Sequence, residues 1–150
     1  MKKRKKQIIQ SPNKGMSFAL SLDMKKRILV ADDDEDIRNI FGIILKNAGY
    51  EADLVSNGKD LLNDNFKIPD LFLIDKQLSG VNGLDVCRHL KSNKKTKRIP
   101  LLMISASPDI GILSEKAGAD GCIEKPFELK EVISTIESFL SLKKKTLVNS

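Results

Sequence analysis

Short apolar runs of strand length alternate along this chain with segments in which apolar residues recur at helical spacing. The alternation starts near Lys25 and continues to about residue 141. Such alternation is typical of βα units, whose strands join one parallel sheet covered by helices on both faces. We therefore predict an α/β protein with a doubly wound, five-stranded parallel sheet. The predicted strands are Ile28–Ala31, Ala52–Val55, Leu71–Ile74, Leu101–Ile104 and Gly121–Ile123.

Two of the predicted helices have a clear apolar face. In the first, the apolar residues that follow the helical repeat are Ile37, Ile40, Phe41, Ile44, Leu45 and Ala48. Gly49 comes next and suits the C-terminal cap of that helix. In the last helix the corresponding residues are Leu129, Val132, Ile133, Ile136, Phe139 and Leu140. Three shorter helices are predicted between these two, at Lys59–Asn63, Leu84–Ser92 and Pro108–Ala117.

Polar residues that can carry chemistry follow four of the five predicted strands. The triplet Asp32–Asp34 follows the first strand, Asp75 the third and Ser105 the fourth, while Lys125 comes shortly after the fifth. All strands of a parallel sheet point the same way, so these residues meet at the carboxyl edge, where open α/β sheets bind ligands. The sequence therefore predicts a site that contains carboxylates, a hydroxyl and an ammonium group.

Carboxylates gathered in one small site repel each other. At about 4 Å a pair costs roughly 4 kcal/mol when the effective dielectric constant is about 20. Mg²⁺ suits Asp32, Asp33 and Asp75 because it accepts a few carboxylates and keeps positions for water and phosphate. Lys125 supplies further positive charge. A carboxylate beside Mg²⁺, a lysine and a hydroxyl can accept a phosphoryl group and become an aspartyl phosphate.

Over about residues 25–141 the chain resembles the receiver domain of bacterial two-component response regulators. The resemblance rests on four segments in the family's order: ILVADDDEDIR, DLFLIDKQLSGVNGLDVCRHLK, IPLLMISAS and GADGCIEKPF. It implies a flavodoxin-like receiver fold with strand order 2-1-3-4-5. It also implies a switch that takes a phosphoryl group from a sensor histidine kinase or a histidine phosphotransfer protein and signals to a downstream protein.

The resemblance also implies a role for each residue at the strand ends. Asp75 would be the phosphorylated residue, which catalyses the transfer together with Lys125 and Ser105. The implied Mg²⁺ ligands are Asp33 directly, Asp32 largely through water, Asp75, and Gln77 through its backbone carbonyl. Ser105 and Lys125 would contact the phosphoryl group, and the small Ala106 would leave it accessible.

Two positions depart from the family's usual pattern. Ser79 stands where a proline normally follows the acceptor, so we expect a more mobile loop there. Cys122 stands where an aromatic residue normally reports phosphorylation, so we expect displacement of the loop after Ser105 to carry more of the signal. The family also has a cis peptide at the position of Lys125–Pro126, and we expect one here.

Two other functions fit parts of the pattern. In a haloacid-dehalogenase-like phosphatase that uses Mg²⁺, Asp32 would be the nucleophile, but the chain has no acidic pair after Lys125 and Asp75 would have no task. A phosphate-independent, receiver-like scaffold is the second alternative, although such proteins usually lose an acidic residue or the lysine. Taken alone, Asp34–Asp36 also suit the cap of a helix, and His89 is predicted to face solvent.

Composition and charge limit the remaining classes. With 41% hydrophobic and 31% charged residues the chain is too apolar to be disordered throughout. The net charge of +6 comes from Met1–Lys6, Lys91–Arg98 and Lys143–Lys145, which lie in termini and a loop without interleaved aromatics. Nucleic-acid contact is therefore not expected. Cys87 and Cys122 lie in apolar segments and are predicted to be free thiols.

The length of 150 residues suits a single domain, and no separate output domain is expected. We predict a flexible basic N-terminal arm at residues 1–24, a receiver domain at 25–141 and a short basic tail at 142–150. The chain has no apolar run long enough for export or for a membrane span. A cytoplasmic location is therefore expected.

Overall fold

The five predicted strands form one parallel sheet. The computed structural model of the chain describes residues 24–149, and side chains as far as residue 142, so the predicted N-terminal arm lies outside it except for Met24. The sheet strands, numbered in chain order, are β1 Arg27–Ala31, β2 Glu51–Val55, β3 Leu71–Asp75, β4 Leu101–Ser105 and β5 Gly121–Glu124. Their order across the sheet is β2-β1-β3-β4-β5. Both the α/β fold class and the strand order predicted from the sequence are confirmed.

Four helices connect these strands and a fifth follows the last strand: α1 Glu35–Asn47, α2 Gly58–Leu62, α3 Gly83–Ser92, α4 Ile110–Lys116 and α5 Leu129–Asn149. The predicted bounds of the three short helices agree to within about two residues. Helix α5 continues past residue 141, into the segment predicted as a tail. A small hairpin that pairs Gln77–Leu78 with Val81–Asn82 was not predicted, because two residues are too few for a periodic pattern. Among the described helices none is long and apolar enough to cross a bilayer.

Two apolar layers cover the two faces of the sheet. Strand residues alternate between faces, so Leu29 packs with α2, α3 and α4, whereas Ile28 and Val30 pack with α1 and α5. Every residue of β3 and β4 is buried. Helices on both faces therefore explain why the sequence shows continuous apolar runs instead of strict alternation.

The predicted apolar faces of α1 and α5 are wider than the buried ones. In α1 the fully buried residues are Phe41 and Leu45, whereas Ile40 is 43% exposed and Ala48 is also exposed. In α5 the first apolar residue, Leu129, is 43% exposed. Only the side chains pointing directly at the sheet are covered, because each helix has one sheet face and no second layer to pack on.

Two aspartates fix the register of the sheet at its amino edge. Asp70 accepts a hydrogen bond from the Arg27 amide at 2.8 Å and returns one from its own amide to the Arg27 carbonyl at 2.7 Å. Asp120 forms the same reciprocal pair with Leu101, at 2.8 Å in both directions. Lys91 also donates to the Asp120 carboxylate at 2.8 Å and so ties α3 to this edge.

Both cysteines are free thiols, as predicted, but their surroundings differ. Cys87 is fully buried and burial raises its pKa to about 11, whereas Cys122 is only half-buried. Because the thiolate is the reacting form, we expect a disulfide reagent to label Cys122 well before Cys87 in the native protein. Mass-spectrometric mapping of the labelled sites over time checks this, with the denatured protein as the control. Equal labelling of the two native thiols would contradict the buried position of Cys87.

Candidate functional site

Asp75 lies at the centre of the carboxyl edge. It ends β3, is 4% exposed, and stands opposite Ile104 on β4. Its Oδ1 accepts a hydrogen bond from the Gln77 amide at 2.7 Å, and its Oδ2 accepts one from Lys125 Nζ at 2.5 Å. Both carboxylate oxygens are therefore held, one by the backbone of the following loop and the other by an ammonium group.

Lys125 reaches Asp75 from the end of β5. Its amide donates to the Ser105 carbonyl at 2.9 Å, which ties it to β4, and its peptide bond to Pro126 is cis, as expected. Its Nζ lies 3.7 Å from Asp32 Oδ2, beyond hydrogen-bond distance. Burial lowers the pKa of Lys125, but its hydrogen bond to Asp75 and the charges of both carboxylates outweigh that effect and raise the pKa.

Asp32 is the second buried carboxylate of the site, with 1% of its surface exposed. Its Oδ1 accepts from the Asp34 amide at 2.9 Å, but its Oδ2 is buried and has no hydrogen-bond partner among the described residues. Burial, together with the neighbouring Asp75, raises the pKa of Asp32 to about 6 despite the hydrogen bond from Asp34. A buried carboxylate oxygen without a partner is costly unless a cation or a proton satisfies it.

The donor set suits a hard divalent cation. Two buried carboxylates face one ammonium group, so the site has an excess of negative charge, and the free oxygen is the one next to Asp75 and Lys125. Asp33 is exposed, and residues 24–142 contain no group of three or more His, Cys, Asp or Glu arranged to hold a metal. Mg²⁺ fits such a site because it takes one or two carboxylates and keeps several water ligands.

Ser105 completes the predicted group at the carboxyl edge. It is 5% exposed and its Oγ accepts a hydrogen bond from the Ser107 amide at 2.9 Å. Ala106, between them, is exposed. Lys76 Nζ donates to Ser107 Oγ at 3.4 Å, which links the loop after β3 to the loop after β4. This link could not be predicted from the sequence, because Lys76 and Ser107 are distant in the chain.

Gly83 is a residue of the site that the sequence analysis missed. It begins α3, donates its amide to the Lys76 carbonyl at 2.7 Å, and packs directly on the backbone of Asp75. A Cβ atom at this position would overlap the Asp75 carbonyl oxygen and lie 2.8 Å from the Cα of Lys76. The sequence signal was Asn82-Gly83 immediately before an apolar helix, and Asn82 does cap α3.

Other predicted side chains have structural roles. Asp34 caps α1 by accepting from the amides of Asp36 and Ile37 at 2.9 and 3.2 Å, as the capping interpretation predicted. His89 was expected to face solvent, but its side chain is only 31% exposed and contacts Asp64 Oδ1 at 2.9 Å, on α3 away from the site. Asp64 follows α2 and has a left-handed backbone, with φ of 57°.

The loop after β3 contains the small hairpin described above. Ser79, at the position where the family usually has a proline, forms a single parallel bridge with Asn57. Gly80 follows with φ of 79°, a left-handed conformation that favours glycine. Gly58, at the start of α2, packs so closely on Val81 that a Cβ there would overlap it. The mobility expected for this loop remains a prediction.

Residues 28–137 match the family model of the response regulator receiver domain. The chain belongs to this family. The receiver interpretation drawn from the strand-end residues is therefore confirmed at the level of the family.

Curated and structural relatives agree with this receiver assignment. The DNA-binding response regulator MtrA of Mycolicibacterium paratuberculosis is 35% identical over 120 residues, which cover 78% of this chain and 52% of the relative. The chain thus spans about half the length of the curated relatives it matches. A putative response regulator from Chloroflexus aurantiacus has a TM-score of 0.74 at 30% identity and covers 79% of this chain and 99% of its own.

A further solved structure shares the receiver fold at lower identity. It is the receiver domain of the sensor histidine kinase PA1611 from Pseudomonas aeruginosa, with a TM-score of 0.72 and 20% identity. The match covers 79% of this chain and 99% of the PA1611 receiver chain. That structure is described as having a magnesium ion coordinated in its active-site cleft.

The close packing of Gly83 predicts a large effect for a small substitution. We expect Gly83→Ala to lower the free energy of unfolding by about 1–3 kcal/mol, because the added methyl group must push against the backbone of Asp75. Gly111→Ala is the matched control, since a Cβ there meets nothing within 4 Å, and it should be neutral or slightly stabilising. Urea unfolding of both variants measures the difference. Equal stabilities would contradict the close approach.

Proposed function

We propose that this receiver domain is a phospho-acceptor switch that takes a phosphoryl group on Asp75. The donor is a sensor histidine kinase or a histidine phosphotransfer protein. The observation that carries the proposal is the buried Asp75 carboxylate, bound by Lys125 and adjacent to the one Asp32 oxygen without a partner. This arrangement combines a nucleophile, a positive charge and a carboxylate oxygen that can bind a metal ion, at the edge where parallel sheets bind their ligands.

We propose Mg²⁺ as the cofactor of this site. The residues that would hold it are the two buried carboxylates, Asp32 and Asp75, and the backbone carbonyl of Gln77, with the exposed Asp33 as a further ligand. When bound, Mg²⁺ neutralises charge on the phosphoryl oxygens and on the carboxylates around them. The magnesium ion of the PA1611 receiver domain, which shares this fold, supports the choice of metal.

In the transfer itself an oxygen of the Asp75 carboxylate forms a bond to phosphorus. The bond from phosphorus to the donor's imidazole nitrogen breaks, and the nitrogen keeps the electron pair. Lys125 Nζ, which donates to Asp75 Oδ2, then donates instead to a phosphoryl oxygen, which carries the negative charge after the transfer. Ser105, at the end of the neighbouring strand, donates its hydroxyl to another phosphoryl oxygen.

The geometry favours Asp75 over Asp32 as the nucleophile. Lys125 Nζ lies 2.5 Å from Asp75 but 3.7 Å from Asp32, so the ammonium group forms a hydrogen bond with Asp75 and not with Asp32. Receiver domains act as signalling switches, which leaves no support for the phosphatase alternative. No observation favours the phosphate-independent scaffold, because such proteins usually lose an acidic residue or the lysine. Here Asp32, Asp75 and Lys125 are all present and close together.

The proposed partners and organisation follow from the receiver assignment. We propose that residues 25–141 form the receiver unit and that it passes its signal by contact with a downstream protein, in the cytoplasm. The matched relatives include proteins named DNA-binding response regulators, and this chain spans about half their length. We propose that the basic clusters of this chain do not bind nucleic acid, since no aromatic residue interleaves with them in the sequence.

The first test of this proposal is chemical labelling. With acetyl phosphate and Mg²⁺ the protein should gain one acyl phosphate, and Asp75→Asn should gain none because the acceptor oxygen is lost. Intact-mass measurement detects the adduct. Asp85→Asn is a suitable control, because Asp85 is an exposed residue of α3 that pairs only with Arg88. Equal labelling of the wild type and Asp75→Asn would reject the assignment, and labelling lost in Asp32→Asn alone would favour the phosphatase.

The second test concerns how phosphorylation is sensed. We expect Lys125→Ala and Ser105→Ala to label at Asp75 but to lose most of the phosphate-dependent change in residues 105–117, because each removes a contact with the phosphoryl oxygens. Cys122→Ala should change the response little, since a thiol is too small to act as an aromatic switch. Hydrogen exchange with and without beryllofluoride measures this. An unchanged response in Lys125→Ala would reject the coupling.

A further inference from the structure

Arg38 reaches from α1 to the end of β1. Its Nη1 donates a hydrogen bond to the backbone carbonyl of Asp32 at 2.8 Å, and its side chain is half-buried. Its own amide donates to the Asp34 carbonyl at 3.0 Å in the first turn of the helix. The guanidinium group therefore bridges the helix and the strand end on which the site is built.

With this bond, three of the four polar groups of Asp32 are fixed, each by a different part of the fold. Its amide donates to the Val55 carbonyl of β2 at 3.0 Å, its carbonyl accepts from Arg38, and its Oδ1 accepts from the Asp34 amide. Its Oδ2 is the only one without a partner. The three bonds set the backbone and one carboxylate oxygen, so they also set where the free oxygen points.

Arg38 differs from Arg27 and Arg88, which form ion pairs. Arg27 pairs with Glu51 and Asp53, and Arg88 pairs with Asp85, whereas Arg38 pairs with no carboxylate among residues 24–142. Its bond goes instead to a neutral carbonyl beside the acidic site. Phe41 and Leu45 anchor helix α1 in the core, and this fixes the backbone from which the Arg38 side chain extends.

We propose that Arg38 is a positioning residue of the cation site: it holds Asp32 so that Oδ2 stays aimed at the bound Mg²⁺. The inference rests on the proposed function and adds a residue to which the sequence analysis assigned no role. Groups that orient a metal ligand from behind typically change metal affinity by about 10-fold to 100-fold when removed. Arg38 acts on Asp32 through a single hydrogen bond to its backbone, so the lower end of that range is expected.

The test compares Mg²⁺ binding with folding stability in three variants. Arg38→Met keeps the aliphatic stem but loses the donors and the charge, Arg38→Lys keeps the charge with one donor group, and Arg88→Met is the control at an exposed arginine of α3. The Mg²⁺ Kd is measured by NMR titration of backbone amides, and stability by urea unfolding without Mg²⁺. We expect Kd to rise about tenfold in Arg38→Met, to recover partly in Arg38→Lys and to stay unchanged in Arg88→Met.

A merely structural role would lower the stability of Arg38→Met and leave its Mg²⁺ Kd at the wild-type value, and that result would overturn the inference. If Arg38→Met does not fold, Arg38→Lys decides: a weakened Kd supports the positioning role and an unchanged Kd overturns it. Failure of the wild type itself to bind Mg²⁺ would instead overturn the proposed function, and the inference with it. The two failures are therefore distinguished by the wild-type titration.

Discussion

The repulsion between two buried carboxylates is the constraint on which the rest of this structure depends. Asp32 and Asp75 are almost fully covered and share a single ammonium group, that of Lys125. Such a pair is unfavourable without compensation, and the fold has to hold it in place. It does so by burying every residue of β3 and β4, so that the strand ends cannot separate without exposing the core.

The backbone around Asp75 is packed so closely that two neighbouring positions accept only glycine. Gly83 places the start of α3 directly against the Asp75 carbonyl, and Gly58 places the start of α2 against the hairpin that follows. Neither position has room for a methyl group. The starts of α3 and α2 therefore pack tightly against the loop that follows β3, so the position of Asp75 depends on the packing of these two helices.

The fold and the main site residues could be predicted because their signals are local. Apolar runs locate the strands, and parallel topology alone brings Asp75, Ser105 and Lys125 to one edge. What could not be predicted depends on contacts between residues distant in the chain. The bond from Arg38 to a carbonyl, the link from Lys76 to Ser107 and the approach of Gly83 to Asp75 leave no periodic trace. Ile40 was expected to be buried because periodicity gives the direction of a side chain but not whether anything covers it.

The paired aspartates at the opposite edge have a mechanical consequence. Asp70 and Asp120 each clamp two neighbouring strands with reciprocal bonds, so β1 cannot slide along β3, nor β4 along β5, without breaking a charge-assisted hydrogen bond. The register of the sheet is thus held at its amino edge, the edge opposite Asp32 and Asp75. A disturbance that arises at the acidic end cannot be absorbed by a shift of register. It would instead displace the loops and helices that follow the carboxyl ends of the strands.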